Sequence, residues 1–297
     1  MLNGKVGLAP MADYSDYPFR KICSKFGAEF TFTEMISSEG IVRNNSRTYE
    51  MLPQDDEKNI GVQIFGSSIS VMVESARKVQ KYGDWIDINA GCPVTKVVRR
   101  GAGSALLLYP EKLAYMIREI RKSVSKPLGV KVRIGYEKNN IQQIMESLKK
   151  VDLDYIIVHP RTREQLYSGK AYREILSYVR ENTQAMLGAS GDIFTRQDID
   201  ECFNKYKVDF VIVARGAIGN PWIFCDRTPT PDEIKTVLLE HLRMNISFYK
   251  IESMAVRMFT KFLVRYVNGM QGAREIRRHL NDLKSYSDVE NLLTMLR

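Results

Sequence analysis

Short runs of apolar residues alternate with longer amphipathic segments through the first three quarters of the sequence. Eight of these runs are rich in β-branched and aromatic residues, and most are continuously apolar, which is typical of parallel strands covered on both faces. They cover residues 6–10, 30–35, 60–66, 85–91, 127–134, 155–160, 185–191 and 210–216. Between them the apolar residues recur at helical spacing, as in 69–81, 111–123, 141–150 and 196–206.

The spacing of these runs predicts the fold. Strand starts lie about 25 to 40 residues apart, which leaves room for one crossover helix each. Eight β-then-α units over about 225 residues describe a (β/α)8 or TIM barrel, with a doubly wound open sheet as the alternative. A TPTP segment at 228–231 marks a break, and the residues after it show helical spacing only. We therefore expect an α/β TIM barrel over residues 1–230 and a small helical domain over residues 231–297.

Composition narrows the class of protein further. Of the 297 residues, 44% are hydrophobic and 27% are charged, which is ordinary for a folded protein and argues against disorder. The four cysteines form no Cys-x-x-Cys pair, which argues against a zinc site and a disulfide framework. No apolar run is long enough to cross a bilayer, and the N-terminus lacks the apolar core of a secretory signal. We expect a cytoplasmic monomer without a metal.

Polar and charged residues lie at the ends of the predicted strands, where barrel enzymes carry their chemistry. Such groups inside apolar strands are costly unless they are paired or used. Any one of them could be a satisfied structural group, but their occurrence on most of the strands favours a functional site. The residues at these strand ends, together with the apolar residues and glycines beside them, are in chain order Pro10, Met11, Gln63, Asn89, Cys92, Lys131, Arg133, His159, Arg161, Ser190, Gly191, Asp192, Arg215 and Gly216.

The loops after the last two strands suit an anion. Gly191 and Gly216 precede predicted helices and expose backbone N–H groups, and barrels commonly hold a phosphate there. Arg215 could add a positive charge, whereas the alternative is that both glycines only form turns. A phosphate at this end implies a phosphorylated substrate or cofactor.

Lys131 and Cys92 are the candidate reactive groups. A buried lysine forms a Schiff base or remains charged and stabilises an anion, such as the negative charge of a reduced flavin. Gln63 and the backbone at Pro10 and Met11 suit the edge of a flavin ring. Cys92 lies in a Gly-Cys-Pro turn, and a thiol with an ordinary pKa near 8.5 is mostly protonated at neutral pH. Position alone leaves three roles open for Cys92, namely a general acid, a nucleophile and an inert residue.

Seven stretches together carry a family resemblance. They are LAPMADYSDYPFR, VQIFGS, DINAGCPVTKVVRRGAGSALL, VKVRIGY, HPRTREQLYSGKA, SGDI and VARGAIGNPWIF, and they run from residue 8 to residue 224. The combination of NAGCP, HPRTREQ and ARGAIGNPW is highly specific. The chain resembles the tRNA-dihydrouridine synthase family, flavoenzymes that reduce uridines in tRNA.

The resemblance implies FMN at the barrel mouth, NADPH as reductant and tRNA as substrate. It implies that Cys92 donates the proton to uracil C5 after a hydride from FMN reaches C6. It assigns the flavin ring to Pro10, Met11, Gln63, Lys131 and His159, and the FMN phosphate loops to Ser190, Gly191, Asp192, Arg215 and Gly216. It assigns the substrate to Asn89, Lys96, Arg133 and Arg161.

Some positions depart from the family pattern. Ser190 stands where Asn is expected, Pro160 where Gly or Ala is usual, and Thr260 and Asn268 where basic residues are expected. Three rival functions remain open at this point: a flavin barrel that reduces a small pyrimidine, a lyase with a Schiff base on Lys131, and a tRNA-binding protein without activity.

Basic residues in the helical segment favour a nucleic-acid partner. The net charge of +9 is weak support alone, because a solvated basic surface explains it equally well. Six cations, however, recur at a spacing that places them along one helix face and its continuation. They are Arg257, Lys261, Arg265, Arg274, Arg277 and Arg278. We expect this stripe to hold the phosphate backbone of tRNA over the barrel mouth.

Overall fold

The computed structural model describes residues 5–296 and contains one closed parallel sheet. Its strands are β1 (Val6–Leu8), β2 (Phe30–Phe32), β3 (Ile36–Ser37), β4 (Ile60–Phe65), β5 (Trp85–Ala90), β6 (Leu128–Gly135), β7 (Tyr155–Thr162), β8 (Met186–Ala189) and β9 (Phe210–Val213). β1 pairs with both β2 and β9, and β2 pairs with β4, which closes the ring. The predicted TIM barrel is confirmed, and the open-sheet alternative is wrong.

The short strand β3 continues the position of β2 in the ring, so eight strand positions form the barrel. It pairs with the end of β4, where Ile36 lies beside Ile64. Each predicted run begins within one residue of a barrel strand. Residues 1–4 and Arg297, which the predicted domains include, lie outside the described residues.

The helices lie between the strands and after the last one. They are α1 (Tyr17–Lys25), α2 (Ser38–Val42), α3 (Ser46–Tyr49), α4 (Ile69–Val79), α5 (Thr95–Val98), α6 (Pro110–Arg121), α7 (Ile141–Leu148), α8 (Ile175–Glu181), α9 (Arg196–Tyr206), α10 (Pro231–Tyr249), α11 (Glu252–Tyr266), α12 (Ala273–Arg278) and α13 (Tyr286–Leu293). Within residues 5–296 none is both long and apolar enough to cross a membrane.

A layer of aromatic side chains fills the lower part of the barrel. Each ring comes from one strand and lies against a glycine that is its partner on the neighbouring strand, at a point where a Cβ atom would overlap the ring. The pairs are Phe30 with Gly7, Trp85 with Gly61, Tyr155 with Gly129, and Phe210 with Gly188. Because each aromatic ring occupies the space that a glycine on the neighbouring strand leaves open, this interior is densely packed. The aromatic layer therefore leaves only the carboxyl ends of the strands for a site.

The helical segment packs against α1 of the barrel. α10 begins at Pro231 with a capping box. The Thr230 hydroxyl accepts a hydrogen bond from the Glu233 N–H, and the Glu233 carboxylate accepts one from the Thr230 N–H. The ring centroid of Phe19 lies 5.0 Å from that of Phe262 and 5.6 Å from that of the wholly buried His241. The helix start agrees with the predicted break, while the division into two domains stays a prediction.

Candidate active site at the carboxyl end of the barrel

A cavity of about 390 Å³ opens where the barrel strands end. This volume is in the range of small-molecule and cofactor sites. Most of the residues that were predicted from strand ends line it together. They are Pro10, Met11, Asn89, Cys92, Lys131, Arg133, His159, Ser190, Gly191, Asp192 and Arg215, and Arg265 of α11 joins them from the helical segment.

The loop after β5 holds Cys92 in a fixed backbone position. The side-chain oxygen of Asn89 accepts from the N–H of Gly91 at 3.1 Å and from the N–H of Cys92 at 2.9 Å. The Ser104 hydroxyl donates to the Cys92 carbonyl at 2.8 Å. A Cβ atom on Gly103 would lie 2.9 Å from that same carbonyl, so the segment before Ser104 packs directly behind the cysteine. Sequence reasoning missed this support, whose signal was the glycine-alanine-glycine motif at 101–103.

The Cys92 side chain is 8% exposed. Burial raises the pKa of the thiol above its ordinary value, and the nearby Val94 amide and the Lys131 and Arg133 cations only partly oppose this rise. The thiol is therefore protonated at neutral pH. Of the three roles that remained open, this environment suits a proton donor best, since a nucleophile would need the thiolate.

Lys131 supplies a positive charge to the cavity. Its Nζ forms no hydrogen bond and no ion pair with any residue of the described chain. Burial, reinforced by the Arg133 cation and partly opposed by Asp87, lowers the pKa of Lys131 to about 8. The ammonium is thus mostly charged at pH 7 without a contacting counter-ion. Such a group suits an anionic ligand.

Arg133 joins the loops after β5 and β7. Its Nε donates to the Gly91 carbonyl at 3.0 Å, and its Nη1 donates to the carbonyls of Thr162 and Leu166 at 2.7 and 2.9 Å. No bond runs from Nη2 to another residue in the described part of the chain. The guanidinium carbon lies 5.6 Å from the ring centroid of Tyr167, which also lines the cavity. Arg133 therefore keeps one donor group for a ligand.

Arg161 is 1% exposed and does not line the cavity. It forms a bidentate ion pair with Asp192, in which Nη1 donates to Oδ1 at 2.9 Å and Nη2 donates to Oδ2 at 2.6 Å. Its Nε donates to the Ser168 carbonyl and its Nη2 to the Gly169 carbonyl. Because every nitrogen is engaged within the protein, the predicted substrate contact of Arg161 stays a prediction that this arrangement disfavours. The same bonds hold the loop after β7 against Asp192.

His159 is neutral in this environment. Burial, reinforced by the Lys131 and Arg133 cations, holds the pKa of His159 well below its usual value. Its Nε2 lies 3.4 Å from Nη1 of Arg161, which can only donate, so the ring proton is assigned to Nδ1. His159 can therefore donate a hydrogen bond to a ligand without carrying charge.

Asp192 is an ionised carboxylate between two arginines. Burial acts to raise the pKa of Asp192, but the hydrogen bonds from Arg161 and from the Ala171 N–H outweigh it and lower the pKa. Arg215 adds a bond at 2.9 Å. Since both carboxylate oxygens are occupied, the predicted cofactor contact of Asp192 stays a prediction that this arrangement limits to the backbone N–H.

The loops after β8 and β9 present free backbone donors. The N–H groups of Gly191, Asp192, Arg215 and Gly216 donate no hydrogen bond to other described residues. Gly191 has a φ of +98°, and a Cβ atom there would lie 3.0 Å from the His159 ring. A Cβ atom on Gly216 would lie 2.2 Å from the Ile193 carbonyl, so the two loops touch. Adjacent unpaired N–H groups of this kind bind oxyanions.

Gln63 and Lys96 lie away from the cavity surface. Gln63 is 1% exposed, and its amide is bonded to Asp87 and Asn89, so it lies beneath the cavity. A direct contact between Gln63 and a cofactor stays a prediction that this arrangement disfavours. Lys96 is exposed on α5, where it can reach only a ligand that extends out of the barrel.

The predicted basic stripe divides into two groups. Arg257 and Arg265 are exposed on α11. Lys261 turns towards the barrel instead: its Nζ lies 5.3 Å from the Tyr14 ring, and it lines a cavity of about 220 Å³ that also contains Asp16 and Glu34. Its charge therefore acts on carboxylates between barrel and helices.

On α12 the remaining cations are exposed but partly engaged. Arg277 donates to the Asn268 side chain at 2.9 Å, and Arg278 pairs with Glu275 at 2.8 Å. Arg274 forms no ion pair within the described residues. Contact of these residues with tRNA stays a prediction. Over residues 5–296, no cluster of three or more metal-binding side chains occurs.

Comparison with known proteins places the chain among tRNA-modifying enzymes. The sequence profile of the family described as Dihydrouridine synthase (Dus) matches residues 7–297. A probable tRNA-dihydrouridine synthase of Aquifex aeolicus is 32% identical over 289 residues, which cover 93% of this chain and 91% of that protein. A tRNA-dihydrouridine synthase B of Pasteurella multocida is 32% identical over 94% of this chain and 89% of its own length.

Two solved structures share the fold at low sequence identity. The histamine dehydrogenase from Rhizobium sp. 4-9 aligns with a TM-score of 0.55 at 11% identity, over 88% of this chain and 49% of that chain. A 2-naphthoyl-CoA reductase aligns with a TM-score of 0.58 at 12% identity, over 75% of this chain and 50% of that one.

Proposed function

The chain belongs to the dihydrouridine synthase family, and on this premise we propose that it reduces uridines in tRNA to 5,6-dihydrouridine, with FMN as cofactor and NADPH as electron donor. The observation that carries the proposal is the pairing of a protonated thiol, Cys92, with an unpaired ammonium group, Lys131, in one cavity. Reduction of a carbon–carbon double bond needs a proton donor and a hydride source. Cys92 supplies the proton donor, and the Lys131 ammonium suits a reduced flavin as the hydride source.

The residues at the barrel mouth fit FMN. The Lys131 ammonium suits the negative charge that a reduced flavin carries near N1 and the C2 carbonyl. The free N–H groups after β8 and β9, together with Arg215, suit the phosphate. When bound, FMN supplies the hydride, and NADPH restores its reduced form.

The protein's own residues then hold the base and move the proton. Cys92 Sγ–H donates to uracil C5, and the bonds from Asn89 fix the backbone from which the thiol reaches. The free Nη2 of Arg133 suits a uracil carbonyl oxygen. Tyr167 is 53% exposed and lies beside Arg133 and Arg215, which suits stacking on a base that leaves the tRNA.

The lyase alternative is disfavoured by the second group in the cavity. The lowered pKa of Lys131 does not separate the two functions, because it is compatible with a Schiff base as well as with a cation beside an anionic ligand. The protonated Cys92 thiol, however, has no role in Schiff-base chemistry, whereas a double-bond reduction uses it directly.

The test is conversion of tRNA that lacks dihydrouridine. Purified protein should be yellow and release FMN on denaturation, and with NADPH it should form dihydrouridine at defined positions. Cys92→Ala should lower the rate by about a hundredfold or more, the size of a lost general acid. Cys202→Ala, which removes a buried thiol from α9 outside the cavity, is the matched control.

Three outcomes would contradict the proposal. A colourless protein that cannot be reconstituted with flavin excludes the reaction. Conversion of free uridine as fast as tRNA indicates a small-pyrimidine reductase. Full activity of Cys92→Ala removes the assignment of the proton donor.

A further inference from the structure

We propose that Asp87, buried beneath the cavity, is a positioning residue that sets the orientation of Cys92 through the side-chain amides of Gln63 and Asn89. The inference deepens the proposed function, since its meaning for the reaction rests on Cys92 as proton donor. The juxtaposition itself is a property of the barrel interior.

The four residues form one continuous chain of hydrogen bonds. Gln63 Nε2 donates to Asp87 Oδ2 at 2.6 Å, and Asn89 Nδ2 donates to Gln63 Oε1 at 2.8 Å. Asn89 Oδ1 then accepts from the N–H of Cys92 at 2.9 Å. Gln63 and Asp87 lie directly opposite each other on β4 and β5, and Asn89 follows on the same face of β5.

The direction of this chain is set from Asp87. The Asp87 oxygen that faces Gln63 is an acceptor, so Gln63 must turn its NH2 group down and its oxygen up. Asn89 must then present its NH2 group to Gln63 and its oxygen to the backbone N–H of Cys92. Reversal of either amide would bring two acceptors or two donors together in a buried place, where an unsatisfied group is costly.

Water cannot easily replace these bonds. The exposed fractions are 0% for Asp87, 1% for Gln63 and 7% for Asn89. The aromatic layer of the barrel lies below them and the cavity above. In such surroundings linked hydrogen bonds strengthen one another, so the loss of one hydrogen bond weakens the others in the series.

This chain of hydrogen bonds does not depend on the charge of Asp87. Oδ2 accepts from Gln63, whereas Oδ1 forms no hydrogen bond of good geometry with a described residue. The Tyr155 hydroxyl lies near Asp87 and acts to lower its pKa, but it donates to the Ile86 carbonyl at 3.2 Å. Burial raises the pKa of Asp87 to about 7. A proton on Oδ1 would leave the acceptor at Oδ2 in place. The positioning role can therefore be separated from the role of Asp87 as a counter-charge for Lys131.

The test is the rate at which iodoacetamide alkylates Cys92 in the full-length protein, in a Cys225→Ser background because Cys225 is exposed. Asp87→Leu and Gln63→Leu should each alkylate about tenfold faster, because the released loop exposes the thiol. Asp87→Asn keeps an acceptor and should stay near the parent rate. Since both residues act along one chain, the Asp87→Leu/Gln63→Leu double variant should be no faster than either single variant.

Asn245→Leu is the control for loss of a buried amide elsewhere, because Asn245 is 1% exposed on α10 and its side chain bonds, within residues 5–296, only to the His241 carbonyl. Its alkylation rate should match the parent. An unchanged rate in Asp87→Leu overturns the proposal, as does acceleration in the control, which would indicate general loosening. Acceleration of Asp87→Asn equal to that of Asp87→Leu also overturns it, because charge rather than the acceptor would then be responsible.

Turnover provides the separate readout for the reaction. Asp87→Leu should lower kcat on tRNA while KM stays unchanged, and Asp87→Asn should recover most of the loss. If the parent protein shows no tRNA reduction, the proposed function fails while the alkylation pattern can still stand. If turnover is normal in Asp87→Leu, the positioning role fails while the proposed function stands.

Discussion

Replacement of Lys131 by methionine should make the flavin-free protein more stable at neutral pH. Burial lowers the pKa of Lys131 to about 8 in the folded state, against 10.5 for the ordinary group. The unfolded chain therefore holds the proton more tightly than the folded one. Below pH 8 the folded state carries the full cost of the buried ammonium, and the cost fades as the pH rises from 8 to 10.5.

The size of the effect follows from this difference in pKa. The interval from 10.5 to about 8 corresponds to about 3 kcal/mol of unfolding free energy. The side chain as a whole is only partly buried, and solvent screens part of its charge. We therefore expect Lys131→Met to gain about 2 kcal/mol at pH 7, and close to nothing at pH 10.5.

Urea unfolding of flavin-free protein at both pH values measures this difference. Lys112→Met on α6 is the control, because Lys112 is exposed and forms no ion pair within the described residues. Bound FMN should reverse the order at pH 7, since the ammonium then has an anionic partner. A loss of stability in Lys131→Met at pH 7, or a gain that persists at pH 10.5, would refute the reasoning.

Two further predictions concern the phosphate loops and the basic stripe. Gly191→Ala should weaken FMN binding by about tenfold or more, because it adds a Cβ atom 3.0 Å from the His159 ring at a φ of +98°. Flavin fluorescence titration measures this, with Gly169→Ala as control, since that glycine has a φ of +61° but open space around it; equal losses would assign the effect to backbone strain alone. Arg257→Gln and Arg265→Gln should each lower the salt dependence of tRNA binding by about one counter-ion, whereas Lys261→Gln should not. Filter binding at several salt concentrations measures this. An equal change in Lys261→Gln would show that Lys261 contacts tRNA with Arg257 and Arg265, against its separation from the stripe.

The sequence alone is sufficient to predict the barrel fold and most of the residues that line the cavity. Strands buried on both faces must be continuously apolar, so their positions can be recognised from composition along the chain. The carboxyl ends of parallel strands meet at one edge, so residues such as Cys92, Lys131 and His159 were expected together before any contact was known. The excursion through β3, α2 and α3 was not predicted, because its short mixed segments carry no clear period.

Partners of individual side chains came only from the tertiary structure. The family resemblance assigns Arg161 to the substrate, and helical spacing assigns Lys261 to it, yet Arg161 pairs with Asp192 and Lys261 faces Asp16 and Glu34. These carboxylates lie far along the chain from the cations they meet, so local spacing carries no information on the pairing.

The same limit explains why the chain from Asp87 to Cys92 was not foreseen. Sequence periodicity records which positions are buried, because burial depends on local spacing along a strand. Which oxygen faces which N–H depends on strand register and on closure of the ring, which place Gln63 of β4 opposite Asp87 of β5. The sequence therefore determined the barrel and the chemistry that lines its mouth, while only the folded ring decided which of those groups remain free for a ligand.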